Sequence, residues 1–323
     1  MTMLEDSVTA TETLTVANKS KRRRGVRVHF TQFKWLYLLL LPGIIYFVLF
    51  RYWPMYGAII AFKDYVPFLG IQDSPWVGFA HFEDFFSSPD FPRLLANTLI
   101  LALLSLVIAF PLTIIVALLL NEMRLMILKR TVQTLIYIPH FLSWTVVASL
   151  TYLLFALDIG PLFQLINGIL GTEVNFLADP AWFRPIIVLQ DIWKNTGWGT
   201  IIFLAALAGV DQAQYEAAII DGAGRFQRVW HITLPSILPT IIVMLVLQMG
   251  QVLNTGFEQI YLMTNSLNRS VADVFDTYVY FMGITQGSYS YSTAVGLFKA
   301  LVGVVLIFGA NWLAKRFTQA GIF

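Results

Sequence analysis

Two groups of residues in this 323-residue chain have the types and spacing to do chemistry. The first lies in YEAAIIDGAGRFQRVWHITLP, Tyr215 to Pro235, which sets Glu216, Asp221, Arg225, Arg228 and His231 into otherwise apolar surroundings. Good helix formers from Gln212 to Asp221 predict a short helix. Gly222 and Gly224 predict a sharp bend, because glycine tolerates positive φ. Arg225 to Ile232 predicts a second short helix, which Pro235 ends while suiting the first turn of the next segment. A loop over 209–234 far exceeds the roughly two to eight residues usual between bundle helices. It is not Gly/Ser-rich, so it is expected to be folded.

The second group consists of polar side chains inside apolar segments, where burial in lipid is costly and such groups usually face a bundle interior or an aqueous path. On a continuous helix over 237–260, Gln248, Gln251, Thr255, Glu258 and Gln259 fall within about 100° of one another. Over 186–210, Gln190 and Lys194 are four apart, with Asp191, Trp193, Asn195 and Trp198 close by. Amides that bond hydroxyls, beside aromatics that stack on pyranose faces, suit a sugar path. The alternative, amides that only bridge neighbouring helices, stays open. Lys299 sits beside Gly296, Ala300 and Gly303, and snorkelling toward the outer surface is its expected role.

Other chemistries find no residues. No Gly-Lys-Ser/Thr cradle for phosphate occurs. His29, His81, His140 and His231 are dispersed, without an HExxH pattern, so no metal site is expected. There is no GxSxG turn and no cysteine. A membrane enzyme that transfers glycosyl groups would need paired carboxylates, and Asp273 and Asp276 are the only close pair in the outward part after the fifth apolar segment.

The elements that must hold these residues are helices in a membrane. Apolar residues make up 57% of the chain and charged residues 12%, with mean hydropathy +0.70; a soluble domain carries about 25% charged residues. Segments of about 20 apolar residues can span a bilayer. Six occur, at about 33–50, 98–120, 135–157, 186–210, 237–260 and 293–313. The expected fold is therefore an all-α integral membrane protein, with a basic tail over 1–32 and a six-span domain over 33–323. Of 21 Lys and Arg, 14 fall in the tail and its flank, between spans two and three, in the Tyr215–Pro235 stretch, and at Lys315 and Arg316. The positive-inside rule makes that side, with both termini, cytoplasmic. The run Lys21 to Arg24 then fixes orientation and meets anionic lipid, with no nucleic acid involved. The first apolar segment is an uncleaved anchor. PLFQLINGIL, from Pro161, is too short to span and reads as an interfacial helix.

The spacing of Glu216, Ala217 and Ala218, then Asp221, Gly222 and Ala223, then Ile232, Leu234 and Pro235 resembles the EAA loop of permease subunits of binding-protein-dependent ABC importers. NTL at Asn97, ALLLNE ending at Glu122, YIPHFLSW from Tyr137, NFLADP from Asn175 and TAVGLFKALVG from Thr293 are similar to the six-span subset that imports sugars and polysaccharides, alginate among them. The resemblance implies the type I importer (MetI-like) permease fold, in the inner membrane of a bacterium. It also implies a second permease subunit, more commonly a different chain, so a heterodimer; two cytoplasmic ATPases, which use ATP and Mg; and an extracytoplasmic binding protein that delivers a saccharide. It implies no catalytic residue, metal or cofactor in this chain. The loop would be a coupling helix seated in a groove on the ATPase, formed by Glu216, Ala217, Ala218, Asp221, Gly222, Ala223 and Arg225. Glu216 would face a basic residue of the ATPase. Val229 stands where many sugar permeases carry Phe, with Trp230 adjacent. The competing class is a secondary transporter or channel that acts alone, which predicts inverted repeats and broken mid-membrane helices.

Overall fold

A chain this apolar can satisfy its backbone in lipid only through helices or a closed barrel. The computed structural model describes residues 33–171 and 174–318, and these are helical almost throughout. Among them, extended pairing is confined to one bridge between Lys63 and Trp76. The expected basic tail over 1–32 lies outside the described residues. The chain forms two units, Met1–Ile59 and Ile60–Phe323. In the first, Lys34–Phe47 is an α-helix with Pro42 inside it, followed by a π-helical turn, Val48–Tyr52, and a short helix, Trp53–Met55.

Among the described residues, four helical stretches are long and apolar enough to cross a membrane: Lys34–Phe62, Asp90–Glu122, Arg225–Gly250 and Tyr289–Arg316. Met126–Phe141 and Trp144–Leu154, bent by 101°, make a fifth if read as one broken span. The segment expected over 186–210 is the 29-residue helix Pro180–Ala208, capped by Asp179 Oδ1, which accepts from the Ala181 N–H at 2.9 Å. It falls outside the apolar set, and Arg184, Asp191 and Lys194 are its charged load. The segment from Pro161 is the short helix Pro161–Leu170.

The structure corrects the expected helix over 237–260. That helix stops at Gly250, the chain turns through Gln251 to Asn254, and Gly256, at φ +82°, starts a separate helix, Phe257–Met263. Gln248 through Gln259 are therefore not one helical face. Pro235 does not end a helix either, because Arg225–Gly250 is continuous. Proline cannot donate to the carbonyl four residues back, and its ring crowds that carbonyl. A π-helical turn, Val229–Thr233, lies just before Pro235 and widens the ladder there. The same arrangement recurs with Ser105–Ala109 before Pro111 and Val48–Tyr52 before Pro54.

The break in the third span is closed from outside. Ser143 Oγ accepts from the Val146 N–H at 3.3 Å and starts Trp144–Leu154. Lys194, buried on Pro180–Ala208, donates to the His140 carbonyl at 2.7 Å and to the Leu142 carbonyl, with its ammonium 5.3 Å from the centre of the Trp144 ring. Gly197, one turn further along, packs so closely that a Cβ there would lie 2.0 Å from the Ile136 carbonyl oxygen.

Among the described residues, three apolar clusters hold the helices together: Phe176, Phe183, Ile187, Ile260 and Met263 in one; Phe85, Leu94, Phe275 and Val295 in another; Ala117, Phe203, Leu207 and Ile237 in a third. The NTL triplet serves the segment after Met263: Asn97 Nδ2 donates to the Ser270 and Asp273 carbonyls at 3.1 and 3.0 Å, and Thr98 Oγ1 accepts from the Phe275 N–H. Asp273 pairs with Arg93 and Arg269 at 3.6 and 3.5 Å. Lys299 does not snorkel outward but pairs with Asp276. Each of the two aspartates thus faces cations, and they do not form a carboxylate pair. Burial, joined by Tyr291 and the Asp90 carboxylate, pushes the Tyr278 phenol far above its ordinary range, so it stays neutral and donates to Asp90.

The close approach at Gly197 yields a test. Gly197→Ala must push the two helices apart, and overpacking of this kind costs about 1–3 kcal/mol. The melting temperature in detergent should fall by roughly 2 °C or more. Gly168→Ala, where a Cβ would meet nothing within 4 Å, should leave it unchanged.

Candidate functional site

The bent third span and the end of Arg225–Gly250 face a cavity of about 630 Å³, also walled by Asp90–Glu122 and Pro180–Ala208. Of the residues expected on a polar path, Asp191, Asn195, Gln248, Gln251 and Thr255 line it. Gln190, Trp193, Lys194 and Glu258 do not. The stripe is thus largely reunited, though by a turn and not by a helical face.

The residues outside the cavity have other surroundings. Gln190 is buried; its Nε2 donates to Thr151 Oγ1 at 2.6 Å, and its Oε1 accepts from Gln259 Nε2 at 3.0 Å. Gln259 also donates to the Ile187 carbonyl at 2.8 Å, so this amide pair bridges helices, while Gln259 still borders the cavity. Lys194 is committed to the bend. Trp193 and Glu258 are exposed elsewhere.

A hydrogen-bonded track runs along one wall. Ser105 Oγ donates to Asp191 Oδ2 at 3.5 Å, and Asn195 Nδ2 donates to Asp191 Oδ1 at 2.7 Å. Asn195 Oδ1 lies 3.1 Å from His140 Nδ1, which donates because an amide oxygen only accepts. The His140 ring stacks on Trp198, with centroids 4.6 Å apart and planes 2° apart. Gln248, Gln251, Asn254 and Thr255 also line the cavity. Amides, hydroxyls and an aromatic face together can bind a polyhydroxylated ring. Sequence reasoning missed His140, Ser105 and Asn254; the histidine within the apolar run of YIPHFLSW was the available signal.

The second site is the 209–234 loop. Asp211 Oδ1 accepts from the Ala213 N–H at 3.0 Å and caps Gln212–Ile220. At the other end the Gly222 N–H bonds the Ile219 carbonyl and the Ala223 N–H bonds the Ala218 carbonyl, with Gly222 at φ +77°. This is a Schellman closure, which needs a left-handed residue at that point. The Gly224 N–H donates to Gln227 Oε1 at 2.7 Å as the next helix starts. Glu216, Ala217, Asp221, Gly222 and Arg225 are exposed; Ala218 and Ala223 are half-buried. Ala218, Asp221, Gly222 and Ala223 border a groove of about 390 Å³ with Gln227, Arg228, His231 and Ile232. Phe226 and Trp230 stack at 6.3 Å and are largely exposed, as are Ile219 and Ile220. The aromatic surface here is this pair, and Val229 is half-buried. Tyr215 OH lies 2.9 Å from Thr233 Oγ1, and Tyr215 and Ile232 pack against the cluster of Phe203, Leu207 and Ile237.

Residues 109–319 match the family described as "Binding-protein-dependent transport system inner membrane component". The chain is 66% identical over 290 residues to Protein LplB of Bacillus subtilis (strain 168), covering 90% of this chain and 91% of that one. It is 53% identical over 305 residues to the polygalacturonan/rhamnogalacturonan transport system permease protein YteP of the same organism, covering 94% and 95%. Among solved structures it is similar, at TM-score 0.83 and 40% identity, to a chain of a bacterial ABC transporter involved in the import of the acidic polysaccharide alginate, covering 90% of this chain and 98% of that one. The chain thus belongs to the family of inner membrane components of binding-protein-dependent transport systems.

Proposed function

We propose that this chain is one of two permease subunits of an ATP-driven importer for an oligosaccharide or polysaccharide, with the 630 Å³ cavity as its share of the path. The observation that carries this reading is the wall of amides and hydroxyls beside the stacked His140 and Trp198, in a chain 53% identical to a polygalacturonan/rhamnogalacturonan transport system permease protein. The chain crosses the inner membrane six times, with both termini and the 209–234 loop cytoplasmic. A second permease, a different chain, completes the path. Two ATPases supply energy from ATP and Mg, and an extracytoplasmic binding protein delivers the saccharide. A transporter of alginate is described in complex with an alginate pentasaccharide-bound periplasmic protein, and its chain is 40% identical to this one at TM-score 0.84. Alginate is one cargo of this class.

The 209–234 loop is the coupling element. Its exposed Glu216 meets a basic residue of the ATPase, the stacked Phe226 and Trp230 cover apolar surface there, and Gly222 fixes the angle between the two helices. The second helix of the loop belongs to the 26-residue helix Arg225–Gly250, which reaches the cavity at Gln248. A push at Arg225 is carried along that rod.

Two experiments test this reading. In proteoliposomes with the complete transporter, Gln251→Leu and Trp198→Ala should lower saccharide uptake about three- to ten-fold with assembly intact, since stacking and amide contacts are each worth about 1 kcal/mol. Trp193→Ala, outside the cavity, should change it less than two-fold. Full uptake with both cavity substitutions together would refute the path.

The loop is tested by Glu216→Ala and Gly222→Leu. Removing one partner of a buried charge pair costs about 2–5 kcal/mol, and Leu at positive φ costs about 1–2 kcal/mol. Both variants should insert and pair with the second permease, yet lose the ATPases or abolish substrate-stimulated hydrolysis. Stimulation at the wild-type level in the double variant would contradict the coupling role.

A further inference from the structure

Among the described residues that line the cavity, Asp191 is the only one with a formally charged side chain. Its carboxylate is held by Ser105 and Asn195, both neutral, and the Asn195 amide is held in turn by His140. Lys194, three residues on, points into the bend and gives its protons to the His140 and Leu142 carbonyls. Arg184 donates to Asn97 Oδ1 at 2.8 Å and lies off the cavity. The wall that this chain contributes therefore carries one carboxyl group and no Lys or Arg. Ionisable groups inside a membrane domain are rare, and one that survives on a path wall acts on what passes.

Resting on the proposed path, we infer that Asp191 is a specificity-determining residue. It disfavours a carboxylate on the sugar unit that crosses this wall, so the cargo presents an uncharged, hydroxyl-bearing unit here. The Asp191 carboxylate accepts from sugar hydroxyls, while a uronate would be brought close to a like charge with nothing on this wall to offset it. At a separation of about 7 Å and an effective dielectric of about 20 to 40, like charges repel enough to slow passage on the order of ten-fold. Selectivity built from a repulsive element discriminates where both cargoes share all other contacts. This separates the chain from what its relatives, one named for polygalacturonan/rhamnogalacturonan and one described with the acidic polysaccharide alginate, would lead one to expect.

The test uses the complete transporter in proteoliposomes, with a uronate oligosaccharide and its carboxyl-reduced counterpart of equal length. The ratio of their uptake rates is compared between wild type and Asp191→Asn. One binding protein delivers both sugars, so its own preference cancels in that comparison. Asp191→Asn should raise the uronate-to-neutral ratio about ten-fold over wild type. Gln251→Lys, which places a cation on the same cavity without touching the Asp191 network, should raise the ratio in the same direction and covers the case in which Asp191→Asn assembles poorly. An unchanged ratio in an assembled Asp191→Asn, or in Gln251→Lys where Asp191→Asn fails to assemble, overturns the inference. Gln248→Trp, which fills the cavity, separates the two levels. If it leaves both uptakes intact, the path itself is wrong; if it blocks both while the ratios stay fixed, only the role of Asp191 is wrong.

Discussion

The contact between Lys194 and the carbonyls of His140 and Leu142 is the one on which the interior depends. A helix that breaks inside a membrane leaves carbonyls without donors, and a buried ammonium is left without acceptors; either alone costs several kcal/mol. Here each satisfies the other. The consequence lies in the cavity, which Lys194 does not touch. With the bend pinned, His140 lies flat on Trp198 and reaches Asn195, and Asn195 holds Asp191. A residue in the packing thus sets the geometry of the wall.

The same demand shapes the other irregular segments. Prolines 54, 111 and 235 each remove a donor, and each follows a π-helical turn that lets the helix continue. The amides of Gln190 and Gln259 close on each other, on Thr151 and on the Ile187 carbonyl, which leaves the neighbouring turn at Gln251 to Gly256 to border the cavity. Because Arg225–Gly250 remains one rod through Pro235, the proposed coupling loop and the proposed path share a single helix.

Legibility in the sequence followed the range of the interactions. Local rules found the helical class, the helix Pro161–Leu170, and the left-handed Gly222 with its bend, since a Schellman closure is written in adjacent residues. The loop was visible from its spacing and its charges. What failed depended on distant partners. Nothing near Lys194 in the chain says that its acceptors lie more than 50 residues away, at His140 and Leu142. Nothing near Lys299 says that Asp276 will meet it. The face drawn through Gln248, Gln251, Thr255, Glu258 and Gln259 assumed an unbroken helix, and Gly250 and Gly256 were the overlooked breakers. Pro235 misled for the opposite reason: a wider turn absorbed it.

The central claim is that a saccharide passes along the wall formed by Asp191, Asn195, His140 and Trp198. The most direct measurement is a structure of the complete transporter, with ATPases that cannot hydrolyse ATP, captured while its loaded binding protein is docked. The account predicts sugar density in this cavity, one ring lying against Trp198 and within hydrogen-bonding distance of Gln251. Sugar density elsewhere in the membrane domain, with the cavity closed by its own side chains, would contradict it.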